Sequence, residues 1–387
     1  AGCARGGAGV SEPEHSTLPP SSAARRIQCT ASTTMEAKYP EAEESPDAAA
    51  GTASHWAGFE MLQGRSVSVG DKAPNGVFLD EEMIEGADLY VEDIARTLAP
   101  HGMNPRVHGV AEQRVLIPRV HPQSWGTPDY RAWLPGAHLV VWDYKFGHRF
   151  VDVYENAQLV EYVAGLLVTC PIPNLVDSQI KVTVRIVQPR SFHRDGPIRS
   201  WTFRADEIRA HINIASNSAH EALGANAKTR VGAECRDCKA RHACPTLQRA
   251  AMTACDVAGA AQPFDLPVEA MALEYRTLRR YGDLLSARAN GLEQQLLALG
   301  KAGKSTPGLR IEHGAGRERW IVTDVQVSQS GVALGVNVAK PPEVMTPKQA
   351  VKAGLPPAVL PGLTNSPRGE AKLVLDDGTL ARRVFGS

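Results

Sequence analysis

Residues 138–145 read His-Leu-Val-Val-Trp-Asp-Tyr-Lys, an apolar run that ends in charged side chains. The β-branched and aromatic residues predict a strand over residues 138–146. Because alternate side chains of a strand share a face, we expect Asp143 and Lys145 on one face and Tyr144 on the other. A carboxylate and an ammonium group at the end of an apolar strand are costly unless they are paired or used. For this motif taken alone, a surface ion pair on an edge strand is the simpler interpretation.

A second carboxylate precedes this strand. Residues 126–129, Gly-Thr-Pro-Asp, predict a turn that leads into a short strand over residues 129–134. If the two strands are antiparallel neighbours, Asp129 and Asp143 lie close enough to share a divalent cation, which prefers oxygen ligands. Lys145 would then lie beside the metal, where it could orient a water molecule or stabilise charge on a phosphate.

Three further side chains extend this candidate site. Gln158 and Tyr162 are four residues apart in a predicted helix over residues 155–168, so they share one face. His55 lies in another predicted helix, which begins with Thr52 as its N-cap. A half-buried helix histidine is the commoner situation for such a residue, and a third metal ligand is the alternative.

Three of the seven cysteines lie close together in the sequence, as Cys235-x2-Cys238-x5-Cys244. This compact set is typical of a metal site, which usually has a fourth ligand. Buried cysteines without a ligand are the alternative, and the close spacing of the three argues against it.

The composition is that of an ordinary globular protein, with 43% hydrophobic and 22% charged residues among 387. The 42 basic and 42 acidic side chains give a formal net charge of zero. This balance excludes coating of nucleic acid by bulk charge, although a local basic groove is compatible with it. The sequence has no run of about 18 apolar residues, and residues 1–20 lack the apolar segment of a secretory signal. We therefore expect a soluble protein without a membrane span.

The predicted elements occur in the order helices, strand meander, helix, strand and helix, which indicates a mixed α/β layer with helices on both faces. Residues 1–20 are a predicted flexible tail, and residues 21–258 form the predicted main domain. Residues 265–387 are expected to hold a long helix, residues 267–299, followed by a small α+β region. The further predicted elements are helices over residues 80–98 and 205–223 and strands over residues 110–117, 150–153, 181–187 and 201–203.

Four motifs together resemble the PD-(D/E)xK nuclease superfamily, specifically its RecB-like exonuclease branch (AddB-type). They are, in order, Gly51-Thr52-x-x-His55, Gly126-x-x-Asp129, Asp143-x-Lys145 and Gln158-x-x-x-Tyr162. Each motif alone is weak, and their order and spacing carry the resemblance. Asp143 stands where Glu is more common, a substitution that this branch tolerates. Glu112 matches a position that is often acidic in such nucleases, and a solvated strand residue is an equally good interpretation.

The resemblance implies an α/β nuclease core, with a mixed central sheet flanked by helices, that hydrolyses DNA phosphodiester bonds with Mg²⁺ or Mn²⁺. The implied metal ligands are His55, Asp129, Asp143 and the backbone carbonyl of Tyr144. The implied catalytic residues are Asp129, Asp143, Lys145, Gln158 and Tyr162. Lys145 would position the attacking water, and Gln158 and Tyr162 would orient Lys145 or contact the DNA backbone.

Iron–sulfur members of this branch have one cysteine before the nuclease core and three after it. The resemblance therefore implies a [4Fe–4S] cluster with the ligands Cys29, Cys235, Cys238 and Cys244. A structural zinc ion at the same cysteines is the main alternative, and His242 could then replace one of them.

Most of the chain also resembles the phage and prophage family DUF2800, whose name carries no function. The matching motifs are Ser21-Ser22-Ala23-x-Arg25-x-x-x-Cys29, Arg317-x-x-Trp320 and Thr346-Pro347-x-Gln349-Ala350. Together the resemblances imply a DNA exonuclease of phage recombination or replication in the bacterial cytoplasm, with a phage single-strand-binding or annealing protein as a partner. The alternative is a catalytically inactive DNA-binding or assembly protein that a cluster or zinc stabilises.

Overall fold

A mixed five-stranded sheet organises the structure, a computed structural model. The strands are β1 (Gly109–Ala111), β2 (Val115–Leu116), β3 (Trp125–Gly126), β4 (Tyr130–Leu134), β5 (His138–Tyr144), β6 (Lys181–Val187) and β7 (Ile198–Arg204). Five of them form a sheet in the order β1-β4-β5-β6-β7, and β2 pairs with β3 separately. Strands β5 and β6 are parallel, and the other neighbours in the large sheet are antiparallel.

Helices lie before, between and after these strands. They are α1 (Ala23–Gln28), α2 (Ser32–Glu36), α3 (Pro46–Leu62), α4 (Glu81–Leu98), α5 (Pro105–His108), α6 (Ala157–Thr169), α7 (Arg209–Leu223), α8 (Pro245–Ala258) and α9 (Val268–Lys301). Helix α6 makes the crossover that joins the parallel strands β5 and β6. Among the described helices, none combines the length and the apolar character that crossing a membrane requires.

The structure describes residues 16–39, 44–172, 174–193, 195–258, 267–309, 311 and 382–383. The chain divides into two compact units, residues 1–304 and residues 305–387. The predicted small α+β region, with its motifs at residues 317–320 and 346–350, lies outside the described residues, as do residues 1–15 of the predicted tail.

Two apolar cores cover the two faces of the large sheet. One face packs on α3 and α4 through side chains that include Tyr130, Val140 and Trp142. The other face packs on α6 and α7 through side chains that include Leu139 and Val141. The chain therefore has the predicted mixed α/β architecture, with a mixed central sheet flanked by helices.

Strand β5 is central in this sheet, with β4 on one side and β6 on the other. Every residue from Leu139 to Tyr144 is at most 2% exposed, which explains the continuous apolar sequence. The edge-strand interpretation is therefore wrong. Trp142 pairs with Tyr130 of the antiparallel strand β4, so the next residue, Asp143, lies near the start of β4, as predicted.

The predicted strand over residues 110–117 is divided between the two sheets. Glu112 has a φ of 48°, a left-handed conformation that interrupts a β-strand, and β1 ends just before it. Residues 150–153, also predicted as a strand, lie in a loop. There the Val151 N–H donates to Gln188 Oε1 at 3.2 Å and not to a neighbouring strand.

Helix α3 begins at Pro46, six residues before the predicted N-cap Thr52. The actual N-cap is Ser45, whose Oγ accepts a hydrogen bond from Ala48 N at 3.2 Å. A serine followed by proline at the first helical position is a strong helix start, and sequence reasoning overlooked it. Thr52 instead donates to Glu44 Oε1 at 2.7 Å.

The last part of the predicted flexible tail is packed. Leu18 is 1% exposed and belongs to the core between the sheet and α6. Its carbonyl accepts a hydrogen bond from Ser124 Oγ at 3.0 Å. Burial of this leucine therefore fixes the chain ahead of residue 21.

Helix α9, predicted over residues 267–299, extends over Val268–Lys301. It packs through Leu284 and Ala287 on Cys235 and Leu247. The structure groups α9 with the first compact unit.

Asp93 connects α4 to the sheet. Its carboxylate accepts hydrogen bonds from Arg185 Nε and Nη2 at 2.8 and 2.7 Å, and from Trp142 Nε1 at 2.9 Å. The Asp93 side chain is 3% exposed. A buried carboxylate that serves three donors stabilises this contact more than a surface ion pair does.

We expect Asp93→Ala to lower the free energy of unfolding by about 3 kcal/mol, because it leaves the Arg185 charge without its partner. Glu92→Ala on the same helix is the control, since its side chain is 51% exposed, and it should change stability by less than about 0.5 kcal/mol. Urea unfolding followed by circular dichroism measures both. Equal effects of the two substitutions would contradict the role of Asp93.

Candidate functional site

An ion pair occupies the end of β5. Lys145 Nζ donates to Asp143 Oδ1 at 2.8 Å, and the Asp143 side chain is 3% exposed against 29% for Lys145. Tyr144 lies on the opposite face, where its hydroxyl forms a hydrogen bond of 2.7 Å with Ser54 Oγ. The predicted alternation of these three side chains is therefore confirmed.

Helix α6 brings the predicted polar residues to this ion pair. Gln158 Nε2 donates to Asp143 Oδ1 at 3.1 Å, and Gln158 Oε1 accepts from Lys145 Nζ at 3.3 Å. Gln158 Nε2 also lies 3.3 Å from the hydroxyl of Tyr162, one turn later. Gln158 thus fixes both charged groups relative to the helix.

Three side chains next to the ion pair could hold a metal ion, and we call them the ligand triplet: His55, Glu112 and Asp129. Each offers one ligand atom, and the three atoms lie within 4.8 Å of one another. His55 Nδ1 is 3.9 Å from Asp129 Oδ1, and Asp129 Oδ2 accepts a hydrogen bond of 2.5 Å from Tyr144 N. The structure therefore brings together two predicted ligands and adds Glu112.

The other two predicted ligands, Asp143 and the Tyr144 carbonyl, adjoin the triplet. Oδ1 of Asp143 accepts hydrogen bonds from Lys145 and Gln158, while its charge acts on His55 and Asp129. The His55 ring lies beside Tyr144, with the two ring centroids 4.9 Å apart, and the Tyr144 backbone acts to raise the pKa of His55. Both groups thus surround the triplet without belonging to it.

Sequence reasoning left Glu112 between a site residue and a solvated strand residue. Its left-handed backbone, with φ of 48°, costs a residue with a side chain about 1–2 kcal/mol. Its N–H donates to the carbonyl of Asp129 at 3.2 Å, which holds the two residues together. Such strain concentrates at functional sites, and no local sequence signal predicts it.

Gly126 has a packing role in its motif. A Cβ at this position would lie 2.7 Å from Pro20 Cδ and 2.8 Å from Tyr162 Cε1, so a larger residue would displace the tyrosine. Gly51 has no atom within 4 Å of the same hypothetical Cβ, so packing does not explain that glycine.

Burial and crowding of negative charge shift the carboxylate pKa values upwards. Burial raises the pKa of Asp129 to about 6, although Lys145 and the Tyr144 N–H lower it. Partial burial, followed by the charges of Asp129 and Asp143, raises the pKa of Glu112 to about 8. The pKa of Asp143 is also raised, chiefly by burial. A cation bound among these carboxylates would relieve their repulsion.

The pKa values of the two basic groups, His55 and Lys145, are shifted in opposite directions. Burial and the charge of Lys145 lower the pKa of His55 to about 4, so the ring is neutral at neutral pH, as a metal ligand must be. Burial alone would lower the pKa of Lys145, but Asp143 and Asp129 raise it above its ordinary value. Lys145 is therefore a fixed positive charge and not a base at neutral pH.

All four predicted cysteine ligands line one cavity, which we call the cysteine cavity. Cys29 follows α1, and the other three lie between α7 and α8. Backbone N–H groups donate to the sulfur atoms of Cys29, Cys235 and Cys244 at 3.4, 3.4 and 3.5 Å. Such donors favour a thiolate, whereas burial raises the pKa of Cys235 and of Cys238.

All four cysteines are free; Cys235 is buried, and the other three are partly exposed. His242 does not line the cavity, and its ring packs edge-on against Tyr39. Four free thiols around one cavity supply the ligand set of an iron–sulfur cluster and equally that of a structural zinc ion.

A buried ion pair links the cysteine segment to α6. Arg26 Nη2 of α1 pairs with Glu161 Oε1 of α6, and both side chains are fully buried. Burial raises the pKa of Glu161 to about 7, while the charge of Arg26 lowers it. The helix that precedes Cys29 is thereby joined to the helix that carries Gln158.

Comparison with known proteins gives a family and a distant structural neighbour. A family model described as "Protein of unknown function (DUF2800)" matches residues 15–378. A solved structure titled "Crystal structure of SSO0001" is 12% identical, and the match covers 58% of this chain and 93% of that chain with a TM-score of 0.24. A TM-score at this level does not define a shared fold.

We expect the affinity for Mn²⁺ to rise between pH 6 and pH 8. Metal and protons compete for the carboxylates, and the raised pKa values of Asp129 and Glu112, about 6 and about 8, keep protons on them into this range. Increasing pH removes those protons and so favours the metal. Calorimetric titration at pH 6, 7 and 8 measures the trend. Glu112→Gln should flatten the part above pH 7, and an affinity independent of pH would contradict the assigned ligands.

Proposed function

The chain belongs to the DUF2800 family, and we propose that it is a metal-dependent deoxyribonuclease with a PD-(D/E)xK core. One observation carries the proposal: at the end of β5, the Asp143–Lys145 ion pair lies next to the ligand triplet. We further propose, from the RecB-like resemblance, that it acts as an exonuclease in phage recombination or replication in the bacterial cytoplasm.

The ligand triplet fits Mg²⁺ or Mn²⁺ by its chemistry. Two carboxylates supply the oxygen atoms that hard divalent cations prefer, and a neutral imidazole is compatible with Mn²⁺. When bound, the cation supplies Lewis-acid stabilisation of the charge on the scissile phosphate. Asp143, next to the triplet, adds negative charge that favours cation binding.

Lys145 would act on the water and the phosphate. Because its ammonium group stays charged, it would donate hydrogen bonds that orient the attacking water and stabilise the phosphate oxygens. Asp143 and Gln158 hold its Nζ in place. In the hydrolysis, the water oxygen joins phosphorus, the bond to the leaving oxygen breaks, and one water proton ends on that oxygen.

The alternative is an inactive DNA-binding or assembly protein of the same fold. Such a protein has no need to retain Asp129, Asp143 and Lys145, and loss of one of them is usual in a vestigial site. Their retention together, with Gln158 bonded to the ion pair, favours the enzyme.

Asp129→Asn and Asp143→Asn are expected to reduce Mn²⁺-dependent cleavage of end-labelled DNA to background. Each removes a negative charge from the site, and the Asp129 substitution should also weaken Mn²⁺ binding. Glu207→Gln, a surface carboxylate that is 51% exposed, is the control and should cleave like the wild type. Wild-type protein without activity would favour the inactive alternative, and active Asp129→Asn protein would refute the site.

Lys145→Ala should lower the cleavage rate roughly 100- to 1,000-fold, as removal of one transition-state donor typically does. Calorimetry should show that this variant still binds Mn²⁺, because Lys145 acts on water and phosphate and is not a ligand. Loss of Mn²⁺ binding would show that the assigned role is wrong.

We also propose that the cysteine cavity holds a [4Fe–4S] cluster. Its support is the four free cysteines around one cavity, the N–H donors to three of their sulfur atoms, and the resemblance to iron–sulfur nucleases. The cluster would connect α1 to the segment between α7 and α8.

Anaerobically purified protein should be brown and contain about four iron atoms per chain. Cys29→Ser should lose this iron as completely as Cys238→Ser, although the two residues are far apart in the sequence. Cys255→Ser, outside the predicted ligand set, is the control and should keep its iron. Colourless wild-type protein with about one zinc per chain would identify the zinc alternative, and full iron in Cys29→Ser would remove Cys29 from the set.

A further inference from the structure

Helix α9 carries an apolar stripe in which steps of four and three residues alternate. The stripe consists of Met271, Tyr275, Leu278, Gly282, Leu285, Ala289, Leu292, Leu296 and Leu299. Such spacing over about four heptads is typical of a left-handed coiled coil. Every second member, beginning with residue 271, is Met or Leu, which suits the d position of a two-stranded coiled coil.

The stripe is separate from the face through which α9 packs on its own chain. That inner face is centred on Leu284, Ala287 and Gly291, all of which are buried. At about 100° of rotation per residue, the stripe is centred about 150° around the helix from it. Its members Leu278 and Met271 are 55% and 48% exposed. Tyr275 and Leu292 of the stripe are also exposed, at 39% and 40%, and exposed apolar side chains in one row indicate an interaction surface.

We propose that α9 pairs with α9 of a second copy of this chain in a parallel two-stranded coiled coil. With Met271 at d, Glu274 occupies a g position and Arg279 the following e position. These positions meet across a parallel pair, so Glu274 of one copy would face Arg279 of the other. Because the dimer would have two-fold symmetry, the Glu274–Arg279 pair would occur twice.

A second g–e pair has the same complementarity. Arg288 at g would face Glu293 at e of the other copy. Arg288 already donates to the Arg241 carbonyl at 3.0 Å within its own chain, so the Glu274–Arg279 pair is the cleaner test of register.

A second copy is the occupant that the chain itself favours. The other described helices have at most 18 residues, against 34 in α9. A second α9 has the required length and the same heptads. Because each copy carries both Glu274 and Arg279, it also supplies the complementary charges.

The test is the mass of the full-length protein by sedimentation equilibrium over a range of concentrations. Wild-type protein should be a dimer, and Leu278→Glu should weaken the dimer roughly a hundredfold, because it places a charge at a d position on both copies. Leu273→Glu is the matched control: Leu273 is 59% exposed on the same helix but occupies an f position outside the stripe. It should leave the dimer unchanged.

A charge exchange tests register and partner together. Glu274→Arg and Arg279→Glu should each weaken the dimer, and the double variant should restore it, because the exchange rebuilds the pair only between parallel copies. Monomeric wild-type protein, a dimer that survives Leu278→Glu, or failure of the double variant to restore it would each overturn the proposal. Circular dichroism should confirm that all variants fold, and the outcome does not depend on nuclease activity.

Discussion

Burial of β5 on both faces is the constraint on which the candidate site depends. This burial places the Asp143 carboxylate at the end of a strand that is inaccessible to solvent, where an unpaired charge would destabilise the fold. Lys145 neutralises that charge, and Gln158 of α6 forms hydrogen bonds with both groups, which fixes them relative to the helix. Asp129 and Glu112 lie beside this pair, and burial is the main cause of their raised pKa values. The same burial that stabilises the sheet therefore crowds carboxyl groups whose charges a divalent cation would stabilise.

The cysteine cavity is connected to this site through α1 and α6. Helix α1 ends at Gln28, immediately before Cys29, and carries Arg26, which pairs with Glu161 inside the protein. Removing one partner of such a pair leaves a buried charge unpaired, which costs several kcal/mol, so α1 and α6 are strongly coupled. Gln158 lies one turn before Glu161 on the same helix. Ligation at the cysteines, as proposed, would consequently hold α1 in place and, through the ion pair, would keep Gln158 against Lys145.

The sequence predicts the features of this architecture that depend on local pattern. The apolar run before Asp143 predicts β5, and the four-residue spacing of Gln158 and Tyr162 predicts their common face. Glu112 shows the limit of such reasoning, because its left-handed backbone depends on contacts with Asp129 that join different parts of the fold. The start of α3 is a different case, since the Ser45-Pro46 signal is present in the sequence and is a stronger helix start than Thr52. Strand length likewise depended on tertiary contacts, as the divided strand around Glu112 shows.

The inner face of α9 determines where its heptad stripe can point. A Cβ at Gly291 would lie 2.5 Å from Arg241 Cγ and 3.0 Å from the backbone nitrogen of His242, so only glycine allows the helix to approach the segment that carries Cys238 and Cys244. Arg288 adds a hydrogen bond to the Arg241 carbonyl on the same side. These contacts prevent α9 from rotating to bury its apolar stripe against its own chain. Close packing beside the cysteine cavity and exposure of the stripe are therefore two consequences of one contact, and a second α9 would bury the surface that this contact leaves exposed.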